Sequence, residues 1–205
     1  MPPIPLPVST KNGKMVLIYA RKYLTMKLMI ASDIHGSAHF CKQLVDRFHD
    51  ENPTKLVILG DVLYHGPRNP LPMDYNPQKV AELLNAIADK IIWVKGNCDA
   101  DIDQMLLHFP VVENAVLFAD GKTIFCSHGH VHSKTNPPAL ANGDVLVNGH
   151  FHVPTAETFG NNNLYVNCGS VSIPKEQSPH SYLVLQDGVF TWKDLQGAPY
   201  KTHKM

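Results

Sequence analysis

The sequence has no excess of charge of either sign and no long apolar run. Among its 205 residues, Lys and Arg total 18 and Asp and Glu total 18, so the formal net charge is zero. A neutral chain without a basic, aromatic-lined stripe is not expected to bind long nucleic acid. No stretch reaches the roughly 18 apolar residues of a membrane span, so no membrane partner is expected.

Cysteine is also scarce, with four residues and no Cys-x-x-Cys spacing. A disulfide-stabilised secreted domain would have a denser and more regular cysteine framework. The pattern therefore predicts a reducing, cytoplasmic setting. Cys41 lies in a predicted helix and Cys126 in a predicted strand, so both are expected to pack as small apolar side chains.

The chain is long enough, and apolar enough at 44%, to bury a core of its own. Residues 1–25 are rich in proline near their start and have neither a periodic apolar face nor the pattern of a signal peptide. We expect them to form a disordered or loosely attached N-terminal extension. Residues 26–205 show no internal repeat or linker, and we predict that they form a single domain.

The two halves of this domain differ in their apolar periodicity. The first half alternates strands and helices, which are predicted at Lys27–Ser32, Ser37–Asp50, Lys55–Leu59, Pro77–Asp89, Ile91–Val94 and Asp101–Leu107. The second half is mostly strand, predicted at Val116–Phe118, Thr123–Ser127, Asp144–Val147, Leu164–Val166, Ser181–Leu185 and Val189–Trp192. This asymmetry favours an α/β (α+β) fold of two packed sheets flanked by helices over a simple doubly wound sheet.

Five apolar runs end in residues that can bind metal ions. The runs are KLMIASDIH, KLVILGD, IIWVKGNCD, TIFCSHGH and DVLVNGHFH. They deliver seven candidate ligands, which are Asp33, His35, Asp61, Asn97, His128, His150 and His152. Ligand sites of α/β sheets form at strand ends. In Asp33/His35 and in His150/His152 one residue separates the two donors, so both side chains of a pair lie on the same side of an extended segment. The series therefore predicts a site for two metal ions.

The donor types indicate which metals the site prefers. Four imidazoles, two carboxylates and one amide, without thiolates, suit Mn²⁺, Fe²⁺, Zn²⁺ or Ni²⁺ better than a closed Cys-rich zinc site. Asp61 is the natural shared ligand, because an ionised carboxylate can contact two ions. Two divalent ions against Asp33 and Asp61 leave a charge of about +2, which attracts phosphate.

These motifs resemble the calcineurin-like metallophosphoesterase superfamily. Within it, the runs GDVLYHGPRNPLP, GNCDADIDQMLLHFP and NCGSVSIPK look like the small bacterial YfcE-type phosphodiesterases, and the likeness extends from Met26 to about Asp187. The resemblance implies a four-layer αββα sandwich of two mixed sheets flanked by helices. It also implies one ion on Asp33, His35, Asp61 and His152, and a second on Asp61, Asn97, His128 and His150. We expect two divalent transition metal ions, Mn²⁺ first, with Ni²⁺, Fe²⁺ or Zn²⁺ as alternatives.

One residue departs from the commoner superfamily pattern. Many members have His after the Asn of this motif, whereas this chain has Cys98, as YfcE-type proteins do. A thiol is a weaker proton donor to a leaving alkoxide than an imidazolium, so good leaving groups are expected. The candidate catalytic residues are Asn97, Cys98, Asp99 and His130. Arg68 and His65, in the proline-rich loop after Asp61, are candidate substrate contacts.

The sequence thus predicts a metal-dependent phosphodiesterase that hydrolyses small phosphodiesters through a hydroxide held by two metal ions. A catalytically weak scaffold of the same fold that binds protein partners is one alternative, and completeness of the ligand set separates the two. A phosphomonoesterase and a nuclease of the same superfamily are further alternatives. Small members of this family often assemble, so a homo-oligomer is an open possibility.

Overall fold

The computed structural model describes residues 26–205 and two short strands before them. These strands, β1 (Thr10–Lys11) and β2 (Lys14–Met15), pair in antiparallel fashion. Apart from them, the prediction of a loosely attached extension over residues 1–25 lies outside the described residues.

The larger sheet of the domain has seven strands and mixed direction. Its strands are β3 (Leu28–Ala31), β4 (Lys55–Ile58), β5 (Ile91–Val94), β6 (Val111–Val112), β12 (Ser181–Gln186), β13 (Val189–Asp194) and β14 (Pro199–Lys204). The spatial order is β14-β13-β12-β3-β4-β5-β6. Strands β3 to β6 are parallel, and β12 joins β3 in antiparallel fashion.

The smaller sheet has five strands in the order β10-β11-β9-β8-β7. They are β7 (Ala115–Ala119), β8 (Lys122–Cys126), β9 (Val145–Asn148), β10 (Thr155–Phe159) and β11 (Asn163–Asn167). Strands β8, β9 and β11 are parallel, and the two outer strands are antiparallel to their neighbours. The predicted pair of mixed sheets is confirmed.

The two sheets pack face to face around an apolar core. Ile30 and Val57 of the larger sheet share one buried cluster with Val145, Val147 and Val166 of the smaller sheet. Strands β3, β4 and β9 are buried on both faces, as their unbroken apolar runs predict. This close packing fixes the strand ends of one sheet relative to those of the other.

Helix α1 (Ala38–Glu51) and helix α2 (Pro77–Asn85) pack on the other face of the seven-stranded sheet. Ser37 caps α1, because its hydroxyl accepts a hydrogen bond from the N–H of Phe40. Pro77 occupies the first turn of α2 as predicted. Among residues 26–205, no helix has the length and apolar character needed to cross a bilayer.

Two predicted helices differ from the structure, one in where it ends and the other in its type. The second was expected to reach Asp89, but α2 ends at Asn85 and a short 3-10 turn, Ala88–Lys90, follows. The Asn85 side chain binds the carbonyl of Leu106 and the N–H of His108, and this tertiary contact ends the helix. The segment predicted as helix at Asp101–Leu107 is a 3-10 helix, Asp101–Met105.

Within residues 26–205, the sequence prediction missed three strands, namely β6, β10 and β14. They lie at sheet edges and are only partly buried, so their sequences lack a strong apolar signature. Loop side chains pack against part of the outer face of the smaller sheet. His132 packs edge-on against Phe125, and the Lys134 ammonium lies 5.9 Å from the ring centre of Tyr165.

Glu51 ties the end of α1 to the larger sheet. Its carboxylate accepts hydrogen bonds from Lys27, Lys193 and the hydroxyl of Tyr182. Burial raises the pKa of Glu51, but Lys193, Lys27 and Tyr182 outweigh burial and hold the pKa below its ordinary value. A carboxyl whose pKa falls on folding stabilises the fold above its unfolded pKa, and this contribution is lost as pH falls through the folded pKa.

We therefore predict that Glu51→Gln lowers the free energy of unfolding by about 1 kcal/mol at pH 7, because three donors lose a charged acceptor. The difference from wild type should shrink as the pH falls from 7 to 4. Urea unfolding across this range measures both effects. Glu82→Gln, which removes an exposed ion pair with Lys79, is the matched control and should change stability by less than about 0.5 kcal/mol. A deficit that does not vary with pH would contradict the charge argument.

Candidate active site

The seven predicted ligands all follow strands that end at the same side of the sandwich. Asp33 and His35 follow β3, Asp61 follows β4 and Asn97 follows β5. From the smaller sheet, His128 follows β8, and both His150 and His152 follow β9. Because β3, β4 and β5 are parallel, as are β8 and β9, their carboxyl ends meet at one edge of each sheet.

Five of these seven residues have a left-handed backbone. The φ angles are 60° for Asp33, 49° for His35, 55° for Asp61, 61° for His150 and 63° for His152. This region costs free energy in residues other than glycine, so the surrounding structure must impose it. Hydrogen bonds between neighbouring loops do so, for example from the N–H of His35 to the carbonyl of Asp61 at 2.8 Å. The sharp turns direct successive side chains into one space.

Two glycines allow the loops after β4 and β5 to touch. A Cβ on Gly60 would lie 2.5 Å from the Cα of Gly96. A Cβ on Gly96 would lie 2.2 Å from Oδ1 of Asp61. No side chain fits at either position, so glycine is required here by close approach of the backbone.

Asp99 joins the loop after β4 to the loop after β5 through hydrogen bonds to their backbone. Its carboxylate accepts hydrogen bonds from the N–H groups of Asp61, Val62 and Gly96 and from the indole of Trp93. The side chain is buried, and burial raises the pKa of its carboxyl. Asp99 was predicted as a catalytic residue, but both its oxygens bind protein N–H groups. Its geometry is that of a positioning residue.

The first cluster of donors joins four side chains. Oδ1 of Asp33 lies 3.1 Å from Nε2 of His152 and 3.4 Å from Nε2 of His35. Nε2 of His35 lies 3.7 Å from Oδ2 of Asp61. These are the four residues that the resemblance implies for one ion. All four are almost completely buried, so their donors face one another away from bulk water.

The second cluster shares Asp61 with the first. Nε2 of His128 lies 3.4 Å from Oδ2 of Asp61, 3.0 Å from Oδ1 of Asn97 and 3.1 Å from Nδ1 of His150. These are the four residues expected for the other ion. Asp61 is thus the residue that belongs to both groups, as its carboxylate chemistry suggested.

Backbone carbonyls fix the orientation of three imidazoles. Nδ1 of His35 donates to the carbonyl of Tyr64, Nδ1 of His128 to that of Leu59 and Nδ1 of His152 to that of Ile173. Nε2 is therefore the nitrogen of each ring that faces the site, which is the arrangement of metal-binding histidines. His150 differs, because it turns Nδ1 towards the cluster.

Charges in the cluster shift the pKa values of its members. Burial raises the pKa of Asp33, but the imidazoles of His152 and His35 outweigh it and hold the pKa well below the ordinary value. Burial lowers the pKa of His128, but the Asp61 carboxylate outweighs it and raises the pKa to about 9. Burial and the His128 charge together lower the pKa of His150 to about 4.

Two buried polar atoms test whether the residues fit a metal ion. Oδ1 of Asp33 and Nε2 of His35 are shielded from water and have no hydrogen-bond partner among the described residues. A buried carboxylate oxygen and a ring nitrogen without partners are costly unless a cation lies between them. Together with the oxygen and nitrogen donors around them, these atoms fit divalent transition metal ions.

The donors open onto a cavity of about 470 Å³. Its walls include Asp61, Asn97, Cys98, His150 and His152, together with Gly66, Pro67, Arg68, Asn69, Phe151 and Lys175. Arg68 therefore lies where a substrate contact was predicted. Burial raises the pKa of the Cys98 thiol to about 12, with Asp61 adding to the effect, so the side chain remains a neutral thiol at neutral pH.

Two predicted site residues, His65 and His130, do not belong to the wall of this cavity. His65 is not part of the cavity wall, and its ring packs edge-on against Tyr64 and Tyr75. His130 is exposed beside a separate small cavity, with its ring centre 5.4 Å from that of His128. The ring centre of His130 also lies 6.3 Å from that of His150, so His130 flanks the second donor cluster.

Phe151 and Lys175 are two of the cavity-wall residues that the sequence reasoning did not single out. Phe151 stands between His150 and His152 and is 44% exposed, although it is a large apolar side chain. Lys175 comes from the loop before β12 and is held there by a hydrogen bond from its N–H to the carbonyl of His152. An aromatic residue between two candidate ligands was the available signal for Phe151.

A sandwich of two mixed sheets whose strand ends bring carboxylate, amide and imidazole donors to one cavity defines a metallophosphoesterase fold. The chain belongs to the calcineurin-like phosphoesterase superfamily, whose domain description matches residues 26–187. That range contains all seven candidate ligands.

Individual relatives agree with this assignment. Phosphodiesterase YfcE of Escherichia coli strain K12 is 50% identical over 167 residues, which cover 81% of this chain and 90% of that protein. The solved structure of YfcE, a phosphoesterase from E. coli, has a TM-score of 0.83 at 46% identity and covers 87% of this chain and 99% of its own. A structure of an archaeal phosphodiesterase, 18% identical, shares the fold with a TM-score of 0.57 and covers 88% of this chain and 100% of its own. The predicted family, the YfcE likeness and the assignment as a phosphoesterase enzyme are confirmed.

We predict that Asp99→Asn destabilises the protein by about 2 kcal/mol, because an amide offers one acceptor oxygen and places an NH₂ group against backbone donors. This loss should lower the melting temperature by about 4–8 °C. The variant should also bind less metal, measured by elemental analysis after dialysis. Asp101→Asn, which removes an exposed carboxylate paired with Lys95, is the control and should change neither value. Wild-type metal content in Asp99→Asn would contradict the positioning role.

Proposed function

We propose that this protein is a metal-dependent phosphodiesterase that hydrolyses small phosphodiesters. The observation that carries the proposal is the pair of donor clusters that share Asp61 and open onto one cavity containing Arg68 and Lys175. A site of this kind combines the positive charge that attracts a phosphate with room for a small substrate. The likeness to phosphodiesterase YfcE supports the same activity.

Seven residues would hold two metal ions. One ion would take Asp33, His35, Asp61 and His152, and the other would take Asp61, Asn97, His128 and His150. When bound, such ions supply Lewis acidity and a water molecule activated as a nucleophile at neutral pH. Mn²⁺ is our first choice, because the donors are oxygen and imidazole nitrogen only, and Ni²⁺, Fe²⁺ and Zn²⁺ are the alternatives.

The protein's own groups would orient the phosphodiester. The Asn97 amide, the Arg68 guanidinium and the Lys175 ammonium all border the cavity and can donate to non-bridging phosphate oxygens. Asp99 keeps Asp61 and the loop of Asn97 in register. His130 would act indirectly, by packing beside His128. Because burial raises the pKa of the Cys98 thiol to about 12, the thiol is a weak proton donor. The leaving oxygen must therefore depart with little help from protonation.

The activity should depend on added transition metal and most strongly on Asp61, whose loss would disturb both ions. We predict that Asp61→Asn keeps its fold but loses at least about a hundredfold in kcat with a nitrophenyl diester, the usual effect of losing a group that binds the reacting centre. Asp89→Asn, at an exposed position, serves as the control. Near-wild-type rates for Asp61→Asn at saturating Mn²⁺ would rule out a shared ligand at this position.

A second test uses the residue that departs from the commoner superfamily pattern. We predict that Cys98→His raises activity on alkyl phosphate esters by about ten- to a hundredfold, because their leaving groups need a proton and imidazolium can supply it. Activity on nitrophenyl diesters should change little, since nitrophenolate departs unaided.

The Cys98→Ala variant should behave like wild type on nitrophenyl diesters, because a neutral thiol donates little. Steady-state rates for both substrates with all three enzymes separate these effects. A loss in Cys98→Ala as large as that of Asp61→Asn would mean that Cys98 binds metal or acts as nucleophile, and the proposed mechanism would then be wrong.

Other functions are less well supported. A protein-binding scaffold of this fold need not keep a complete ligand set, whereas all seven donors converge here. A phosphomonoesterase would gain little from the neutral thiol at Cys98. The zero net charge of the chain weighs against a nuclease for long nucleic acid.

The setting that fits this activity is a reducing compartment. The four cysteines form no disulfide in the described residues, and three of them are buried. We propose a cytoplasmic location, as the spacing of the cysteines predicts. The proposed partner is a small-molecule phosphodiester, and assembly into a homo-oligomer is a question for sedimentation analysis.

A further inference from the structure

A second cavity adjoins the proposed active site. Its volume is about 430 Å³, within the range of about 300–1,000 Å³ typical of small-molecule pockets. Phe151 and Lys175 belong to the walls of both cavities, so the two spaces adjoin at these side chains. Thr155 of β10 and Tyr165 of β11 belong to the wall of the second cavity, whereas Cys98 borders only the first.

We propose that this second cavity is a subsite for the retained ester arm of the phosphodiester, and that it favours an uncharged, planar aromatic or heteroaromatic group. The proposal rests on the phosphodiesterase function given above. In this arrangement the phosphorus lies at the two donor clusters and the leaving arm points towards Cys98. The other arm crosses Phe151 into the second cavity.

The apolar surfaces of the subsite explain the preference for a ring. Phe151 is 44% exposed beside His150, with the two ring centres 5.1 Å apart in an edge-on arrangement. Val153 and the nearly buried ring of Tyr165 add to the wall. A flat arm that covers Phe151 would remove its apolar surface from water and gain aromatic packing.

The charges of the subsite balance one another. Its walls contain two lysines, Lys134 and Lys175, and two acidic residues, Glu157 and Glu176. Lys134 already pairs with Glu157 at 2.7 Å, so neither charge is free to select a charged arm. Lys175 stands at the junction of the two cavities, where the phosphate of a diester would lie. An uncharged arm therefore fits best.

The experiment compares two substrates that release the same leaving group. Bis(4-nitrophenyl) phosphate retains an aryl arm after reaction, whereas methyl 4-nitrophenyl phosphate retains only a methyl group. With Mn²⁺, we expect the wild-type kcat/KM to favour the bis-aryl substrate by at least about tenfold after division by the ratio of the two uncatalysed rates, which contains the twofold statistical factor and the electronic effect of the retained group. The preference should reside mainly in KM, because contacts to the retained arm act equally in the ground and transition states.

Two variants change the subsite in opposite ways. Phe151→Ala removes one wall, and Thr155→Trp fills the cavity. Each should reduce the ratio of the two kcat/KM values at least about fivefold, whereas Phe151→Tyr, which keeps the ring, should preserve it. Phe118→Ala is the matched control, because Phe118 is an exposed phenylalanine on β7 that borders neither cavity. Melting temperatures confirm that each variant folds.

The outcomes of this experiment distinguish the subsite proposal from the phosphodiesterase proposal on which it rests. Hydrolysis of both diesters with equal efficiency, or a ratio that neither Phe151→Ala nor Thr155→Trp alters, would overturn the subsite and leave the phosphodiesterase proposal intact. Failure to hydrolyse either diester with Mn²⁺, Ni²⁺, Fe²⁺ or Zn²⁺ would overturn both proposals. A wild-type preference that both variants abolish would support the retained-arm assignment.

Discussion

The buried carboxylate of Asp99 is the contact on which the geometry of the site depends most. It accepts N–H groups from the loops after β4 and β5 and so holds Asp61 beside Asn97. The contact is possible only because Gly60 and Gly96 let the two loops meet without a side chain between them. Since Asp61 belongs to both donor clusters, the relative position of these loops decides whether the two clusters share a carboxylate.

Strain and buried charge accompany this arrangement. Left-handed backbone at five candidate ligands, including Asp33 and His152, is unfavourable in isolation. Oδ1 of Asp33 and Nε2 of His35, which are buried without a hydrogen-bond partner among the described residues, add to the cost in folding free energy. The double-sheet core and the carbonyls that orient the imidazoles hold these residues in place. The fold therefore pre-forms a cation site at the expense of its own stability, as functional sites commonly do.

The sequence predicted the elements that carry a strong local signal. The helix beginning after Ser37 and the apolar strands β3, β4 and β9 were recognised, because helical spacing of apolar residues and continuous burial both leave marks in the residue pattern. The edge strand β14 was missed, since it is mostly exposed and its pairing partner lies elsewhere in the chain. The early end of α2 at Asn85 was also missed, because it is set by a tertiary contact.

For the site, the residue types and their order after strands determined which side chains could bind metal, because strand ends in α/β sheets converge. The sequence could not show that Asp99 faces backbone N–H groups, that His65 packs against tyrosines, or that Lys175 reaches the cavity. These facts depend on contacts between segments far apart in the chain. The tertiary structure alone decided them, since only the packing of two sheets fixes which loops meet and which way their side chains point.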